Sequence, residues 1–297
     1  MMTRTLASLA FALAFFFAEA GIAGTVEDGV AAYQRGDYQV AMGLLRPEAD
    51  RGDATAQAVL GALYYNGQGA PHDLGQSFSW YLKAARQGVA AAQNQVGLMY
   101  CRGQGVAQDF GQAIGWYGKA AAQGDATAEE NLGLMYSAGQ GAARDDAAAV
   151  RWFAAAAQQG NTAAAYNLGL MYDGGLGVAQ DHGLAVAWWR RAADRGDPDA
   201  QSSLGAAYAL GKGVARDDAR AYLWFTLASM DYVASDAEDR EGALRNRQSV
   251  AAGLSAAQIA EAERQAHLWR PKGGGPTAGL SQVEVDLNAS HTQPPGR

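Results

Sequence analysis

GGLGVAQDHGLAVAWW, Gly174 to Trp189, is a glycine-rich linker followed by an aspartate and, seven and eight residues later, by two tryptophans. Glycine-rich loops of this kind can hold a phosphate at a helix N-terminus. A P-loop, however, needs a lysine followed by serine or threonine, and a dinucleotide fingerprint needs a third glycine where this chain has Gln180. The stretch therefore predicts a turn between two helices and not a nucleotide site.

The same pattern recurs along the chain with a fixed spacing of 36 residues. Each copy contains a Leu-Gly or Val-Gly pair, a tyrosine, two glycines, an aspartate and a tryptophan. The Leu-Gly or Val-Gly pairs begin at Leu60, Val96, Leu132, Leu168 and Leu204, and the tryptophans are Trp80, Trp116, Trp152, Trp188 and Trp224. A fixed period of this length predicts a stack of repeats in which each unit packs on its neighbours.

The residues of one copy predict two helices. Leu60, Leu63 and Tyr64 fall on one apolar face of the first helix, which therefore needs a partner. A glycine inside a helix costs about 1 kcal/mol relative to alanine, so Gly61 and its counterparts indicate a closely approaching neighbour. The aspartate, Asp73 in the first copy, is expected to cap the second helix. The tryptophan seven residues later is expected to fill the space between units.

This pattern resembles the Sel1-like repeat, a relative of the tetratricopeptide repeat (TPR), and five units cover about residues 54–228. The resemblance implies an all-α fold, an α-solenoid of antiparallel helix pairs. It also implies an adaptor that holds a protein or peptide partner.

The N-terminus predicts export. Arg4 supplies a positive charge, residues 6–18 form an apolar run, and Ala18-Glu19-Ala20 fits a cleavage site, so residues 1–20 are expected to be a signal peptide. The run is shorter than the roughly 20 apolar residues that a spanning helix needs. We therefore expect a periplasmic protein with no stable membrane insertion after signal cleavage.

The remaining segments flank the repeats. Residues 21–53 are expected to form an N-terminal TPR-like capping unit, and residues 229–270 to form C-terminal capping helices. Ser255 and Gln258 have the spacing of a capping box. Residues 271–297 are rich in glycine and proline and predict a disordered tail.

The composition argues against several kinds of chemistry. The net charge of −7, from 23 Lys and Arg against 30 Asp and Glu, has no basic block and disfavours a nucleic-acid partner. The four histidines lack metal-ligand spacing, so no metal, cofactor or catalytic residue is predicted. Cys101 is the only cysteine. Some cysteine-rich Sel1-like proteins resemble penicillin-binding enzymes in activity, and this chain departs from that pattern.

The sequence predicts a binding surface where the repeats differ. A stripe beside the buried face of each first helix is expected to line a groove, because side-chain amides there can bond the backbone of a peptide. The candidate residues are Gln95, Arg102, Glu130, Asn131, Tyr166 and Asn167. The function expected is an adaptor or regulatory scaffold in envelope or exopolysaccharide regulation. The alternatives are a cell-wall-active or β-lactam-hydrolysing enzyme and a carbohydrate-binding protein.

Overall fold

A computed structural model describes residues 25–232 and 237–272, so the signal peptide expected over residues 1–20 lies outside the described residues. Over those ranges the chain forms fourteen helices and no strand. The helices are α1 (Val26–Arg35), α2 (Tyr38–Asp50), α3 (Ala54–Asn66), α4 (Leu74–Arg86), α5 (Ala90–Arg102), α6 (Phe110–Ala121), α7 (Ala126–Ala138), α8 (Asp146–Gln158), α9 (Thr162–Gly174), α10 (His182–Ala193), α11 (Pro198–Leu210), α12 (Asp218–Asp231), α13 (Ala237–Ala251) and α14 (Ala256–Leu268).

The chain divides into two units after Gln108. Helices α1–α5 belong to the first unit and α6–α14 to the second, and successive helices up to α13 pack against one another within each unit. The fold is an all-α solenoid of antiparallel helix pairs, which confirms the predicted fold class. The first core includes Leu45, Leu60 and Leu63, whereas the second includes Phe153 and Trp189.

The linker quoted above is a turn between α9 and α10, and its glycines have two separate tasks. Gly175 ends α9 in the left-handed conformation, with φ +65°, and its N–H donates to the Met171 carbonyl. A Cβ added to Gly177 would lie 2.2 Å from the Asp146 carbonyl carbon at the start of α8. The second glycine therefore allows the linker to pass directly over the preceding repeat. Asp181 then caps α10 by accepting from the Leu184 N–H at 2.9 Å, as predicted.

The glycine inside the first helix makes the expected close approach at Gly61, Gly133, Gly169 and Gly205, where it meets an aromatic ring on the second helix of the same repeat. A Cβ on Gly133 would lie 2.6 Å from the ring of Phe153, which is 2% exposed. Trp152, one residue earlier, is only half-buried. Within this repeat, the aromatic residue one position after the tryptophan is the one that points at α7, and the expected packing of the tryptophans between units stays a prediction.

Successive helix pairs are also joined by a recurring polar contact. The side-chain amides of Gln57, Gln93 and Gln201 are buried, and each donates to the backbone carbonyl eight residues earlier, at 3.0, 3.1 and 3.5 Å. Glu129 occupies the equivalent position on α7 and instead accepts a hydrogen bond from Gln159 at 2.8 Å. An ionised carboxylate cannot donate to a carbonyl, so this repeat lacks the contact, as does the fourth repeat, which has Ala165 at the same position.

The C-terminal helices α13 and α14 both pack on α12. Ser255 caps α14 in the expected capping box with Gln258. Beyond α14, the Lys272 N–H donates to the Asp194 carbonyl at 2.7 Å, and its ammonium lies 2.8 Å from the Asp194 carboxylate. The structure thus places the first two residues of the expected tail, and residues 273–297 lie outside the described residues.

Candidate functional site

The first helices of the repeats in the second unit each leave one stripe of residues accessible. Apart from one adjacent pair in each helix, these positions follow one another at intervals of three or four residues and therefore lie on one side of the helix. They are residues 127, 130, 131, 134 and 138 on α7, residues 163, 166, 167, 170 and 174 on α9, and residues 199, 202, 203, 206 and 210 on α11. We call these three sets the accessible stripes. Helices α7 and α9 are in contact, so their stripes lie on neighbouring elements.

Leucines are exposed along the accessible stripes. Leu134 is 41% exposed, Leu170 is 39% exposed and Leu210 is 75% exposed. Leu134 and Leu170 occupy equivalent positions of successive repeats. Single exposed apolar residues are common on proteins, but an apolar row rimmed by polar residues marks an interaction surface.

Four of the predicted site residues lie on the accessible stripes of the second unit. Asn131 and Asn167 are half-buried at equivalent positions of α7 and α9. Each stands three residues before an exposed leucine. Glu130 and Tyr166 are half-buried next to them. The structure therefore places these four side chains on one layer of helices, and a role in binding stays a prediction.

Glu130 is held by the cap of the next helix. It accepts a hydrogen bond from Asn161 Nδ2 at 2.8 Å, while Asn161 Oδ1 accepts from the Ala164 N–H at 2.8 Å to cap α9. Burial raises the pKa of Glu130, and the bond from Asn161 partly opposes this effect. The carboxylate is thus fixed in position by a neutral donor.

Two tyrosines lie beside further carboxylates. Tyr166 is hydrogen-bonded to Ser203, and its pKa is raised by burial and by the nearby charge of Asp199. The Tyr232 hydroxyl donates to Asp199 Oδ1 at 2.8 Å, and burial followed by this bond raises the pKa of Tyr232. The two phenols therefore flank a single carboxylate on α11.

Asp197 and Asp239 complete this group of acids. Burial raises the pKa of Asp197 to about 6, and the charges of Asp199 and Glu130 contribute in the same direction. Asp239, at the start of α13, raises the pKa values of both tyrosines. We call Glu130, Asp197, Asp199 and Asp239 the acidic end of the accessible stripes.

The other two predicted residues lie in the first unit. Gln95 is half-buried on α5, and its carbonyl oxygen Oε1 is buried without a hydrogen-bond partner in the described part of the chain. Arg102 is exposed at the last position of α5. These two residues therefore lie in a different unit from the other four.

The histidines of the described ranges do not form a cluster. His182 Nδ1 lies 2.9 Å from Asp173 Oδ1, and Lys212 Nζ lies 2.9 Å from the same oxygen. No set of three or more His, Cys, Asp or Glu side chains within residues 25–232 and 237–272 is arranged to hold a metal ion. Across the same residues, no helix has the length and apolarity needed to cross a membrane.

Comparison with known families agrees with this repeat geometry. The model of the Sel1 repeat family matches five consecutive segments, residues 54–89, 90–125, 126–161, 162–197 and 198–231, which together make up more than half of the chain. The chain belongs to the Sel1 repeat family. Sel1 repeats generally mediate protein–protein interactions and most proteins that contain them are not enzymes, which supports a scaffold role.

Two solved structures are similar to this Sel1 repeat protein. A Sel1 repeat protein from Oxalobacter formigenes is 30% identical, with 83% of this chain and 100% of that chain covered and a TM-score of 0.69. A protective antigen present in uropathogenic Escherichia coli strains, which has an SLR fold, is 29% identical with a TM-score of 0.68. The similarity covers 84% of this chain but 62% of the antigen. No curated protein matches the chain significantly.

Two features of this surface escaped the sequence prediction. Leu134 and Leu170 have a sequence signal, since they recur three residues after Asn131 and Asn167 on the polar side of the helical wheel. The acidic end has no such signal, because Asp239 comes from α13, where the repeat pattern has already ended. Periodicity finds contacts between repeats but not contacts with a segment outside the period.

Proposed function

We propose that this Sel1 repeat protein is an exported scaffold of the cell envelope that binds a protein partner on the accessible stripes. The observation that carries the proposal is the recurrence of exposed Leu134 and Leu170 beside half-buried Asn131 and Asn167 on successive repeats. The leucines offer apolar area and the amides offer donors and acceptors for a partner backbone. The general role of Sel1 repeats in protein–protein interaction supports the same conclusion.

Site-specific photo-cross-linking tests the surface. A photoreactive phenylalanine analogue replaces Leu170 in the full chain, and a matched variant carries it at Ala187, which is exposed on α10 in the other helix layer. Irradiation of intact cells should give a covalent adduct with a second protein at position 170 and none at position 187. Adducts at both positions, or at neither, would contradict the assignment of the accessible stripes.

The amide pair has its own test in the same system. Asn131→Ala combined with Asn167→Ala should lower the yield of the adduct at position 170, because two groups that bond the partner backbone are removed. An unchanged yield would eliminate the amides as contacts.

Export is the second part of the proposal, and the N-terminal sequence supports it through Arg4, the apolar run of residues 6–18 and Ala18-Glu19-Ala20. Osmotic-shock fractionation of cells that produce the full chain should release a shortened protein beginning near Gly21. Retention of the uncleaved chain in the cytoplasm would disprove export, while the binding surface could still be tested with purified protein.

A further inference from the structure

The accessible stripes combine an apolar row with a negatively charged end. Leu134 and Leu170 lie in the C-terminal halves of α7 and α9, whereas Glu130 and Asp199 lie in the N-terminal halves of α7 and α11. Glu130 lies four residues before Leu134, about one helical turn, and Asp199 lies seven residues, about two turns or 10 Å along the axis, before the position on α11 that is equivalent to Leu134 and Leu170. A partner segment that covers the leucines therefore also passes the carboxylates.

The partners of the carboxylates at the acidic end are neutral donors. Glu130 accepts from the Asn161 amide, Asp199 accepts from the Tyr232 hydroxyl, and Asp197 accepts from the Ala200 N–H. Arg195, two residues before Asp197 in the sequence, donates to the Gly160 carbonyl at 2.8 Å.

Acids elsewhere in the second unit are paired differently. Asp146 lies 2.9 Å from Arg144, and Asp218 lies 2.9 Å from Arg216. The acids at the acidic end instead act on one another: the charges of Asp199 and Glu130 raise the pKa of Asp197. Among residues 25–232 and 237–272, the negative charge there is thus compensated by hydrogen bonds and not by an ion pair with a cation, and it attracts a positive ligand.

We propose that the accessible stripes bind a cationic amphipathic segment of the partner protein, with its apolar side chains on Leu134 and Leu170 and its Lys or Arg side chains beside Glu130 and Asp199. This inference rests on the proposed scaffold function. Complementary charge sets the orientation and speeds the encounter, while the leucines supply the apolar contact area. An acidic partner would place like charges together in a half-buried site, which is unfavourable.

The binding test uses a synthetic fluorescent helix of leucine and lysine and a matched peptide in which glutamate replaces lysine. Fluorescence anisotropy with the full chain should show binding of the lysine peptide that weakens as salt is raised, and no binding of the glutamate peptide. Equal binding of the two peptides would overturn the inference.

Matched variants separate this site from the overall negative charge. Glu130→Gln with Asp199→Asn should weaken binding of the lysine peptide by about tenfold, which corresponds to about 1.4 kcal/mol. Asp146→Asn with Asp218→Asn changes the net charge equally, at acids already paired with arginine, and should change the affinity by less than about twofold. Equal losses for the two double variants would show that the peptide responds only to net charge and would overturn the inference.

The apolar contact has a similar pair of variants. Leu170 and Leu184 are 39% and 43% exposed, and Leu184 lies on α10 in the other helix layer. Leu170→Ser should weaken binding, whereas Leu184→Ser should not. Circular dichroism of each variant checks that the fold is retained.

The outcomes distinguish the inference from the proposed function. If the adduct at position 170 persists in cells while the Glu130→Gln/Asp199→Asn variant leaves its yield unchanged, the scaffold function stands and the cationic partner is ruled out. If position 170 instead cross-links to a second copy of this chain, and sedimentation shows a dimer that Leu170→Ser abolishes, the surface is a self-association face and the inference fails.

Discussion

Gly169, which has no side chain beyond a hydrogen atom, allows α9 and α10 to pack closely. A Cβ added to Gly169 would lie 2.4 Å from Nε1 of Trp189, whose side chain is 6% exposed and packed in the core of the second unit. The same relation joins Gly205 to Phe225. The helix propensity lost at glycine is therefore offset by an aromatic contact that alanine would prevent.

Gly169→Ala should destabilise the protein, although alanine is the better helix former. The displaced Trp189 ring is expected to cost about 1–3 kcal/mol, which exceeds the helix-propensity gain of about 1 kcal/mol. Gly115→Ala is the matched control, because it lies inside α6 with open space around its added Cβ. It should stabilise the protein by about 0.5–1 kcal/mol.

Thermal unfolding of the full-length variants measures both changes. The melting temperature should fall for Gly169→Ala and rise for Gly115→Ala. A rise for both variants would mean that the Trp189 ring moves aside easily and that glycine is not required at the contact.

At the scale of helices, the glutamine contact joins one repeat to the next, and it is absent in the third and fourth repeats, where Glu129 and Ala165 occupy the position. Glu129→Gln should supply the missing donor, and the existing pair of Gln57 and Gln87, with 2.8 Å between Nε2 and Oε1, shows that two amides fit at this position. We expect a gain of about 1 kcal/mol at pH 7, the usual net value of a buried hydrogen bond.

The gain from Glu129→Gln should depend on pH. Burial raises the pKa of Glu129 above its ordinary value of 4.5, so the wild-type folded state is penalised at neutral pH and the penalty is relieved as the carboxyl is protonated at lower pH. The difference in melting temperature between variant and wild type should thus be largest at pH 7 and smaller at pH 4.5. A destabilised variant at pH 7 would show that the bond from Gln159 requires a carboxylate.

The sequence predicts correctly those features that depend on contacts within one repeat. Asp181 caps α10 and Gly175 ends α9 through contacts a few residues away, so their spacing is sufficient evidence. Which of Trp152 and Phe153 contacts Gly133 depends on which side of α8 meets α7, and two large aromatics about 100° apart on the helical wheel both border the apolar face. The acidic end depends on α13, which follows no period, so only the folded chain brings Asp239 to Tyr166.

At the scale of the whole molecule, the buried acids of residues 25–232 and 237–272 are concentrated in the second unit. Burial raises the pKa values of five carboxyl groups there: Asp125, Glu129, Glu130, Asp197 and Asp231. By contrast, hydrogen bonds from arginine lower the pKa values of Asp218 and Glu261. The two groups affect stability in different pH ranges, because raised and lowered pKa values have opposite signs of linkage.

The protein should be more stable at pH 5 than at pH 7. A carboxyl whose folded pKa is raised binds protons more tightly in the folded state, so stability falls as pH rises, for Asp197 between 3.8 and about 6. The stabilisation from Asp218 and Glu261 is lost only as the pH falls below their ordinary pKa values of 3.8 and 4.5. Both values lie outside the compared range of pH 5 to pH 7. The melting temperature should therefore decrease from pH 5 to pH 7.

Asp197→Asn tests the largest of these contributions, and Asn161 is its natural counterpart. Asn161 caps α9 through the Ala164 N–H at 2.8 Å, as Asp197 caps α11 through the Ala200 N–H at 2.7 Å, so asparagine retains the cap while removing the charge. The variant should melt at a higher temperature than wild type at pH 7, and its melting temperatures at pH 5 and pH 7 should differ less. A lower melting temperature at pH 7 would show that the ionised cap and the helix dipole outweigh the cost of burying the carboxylate.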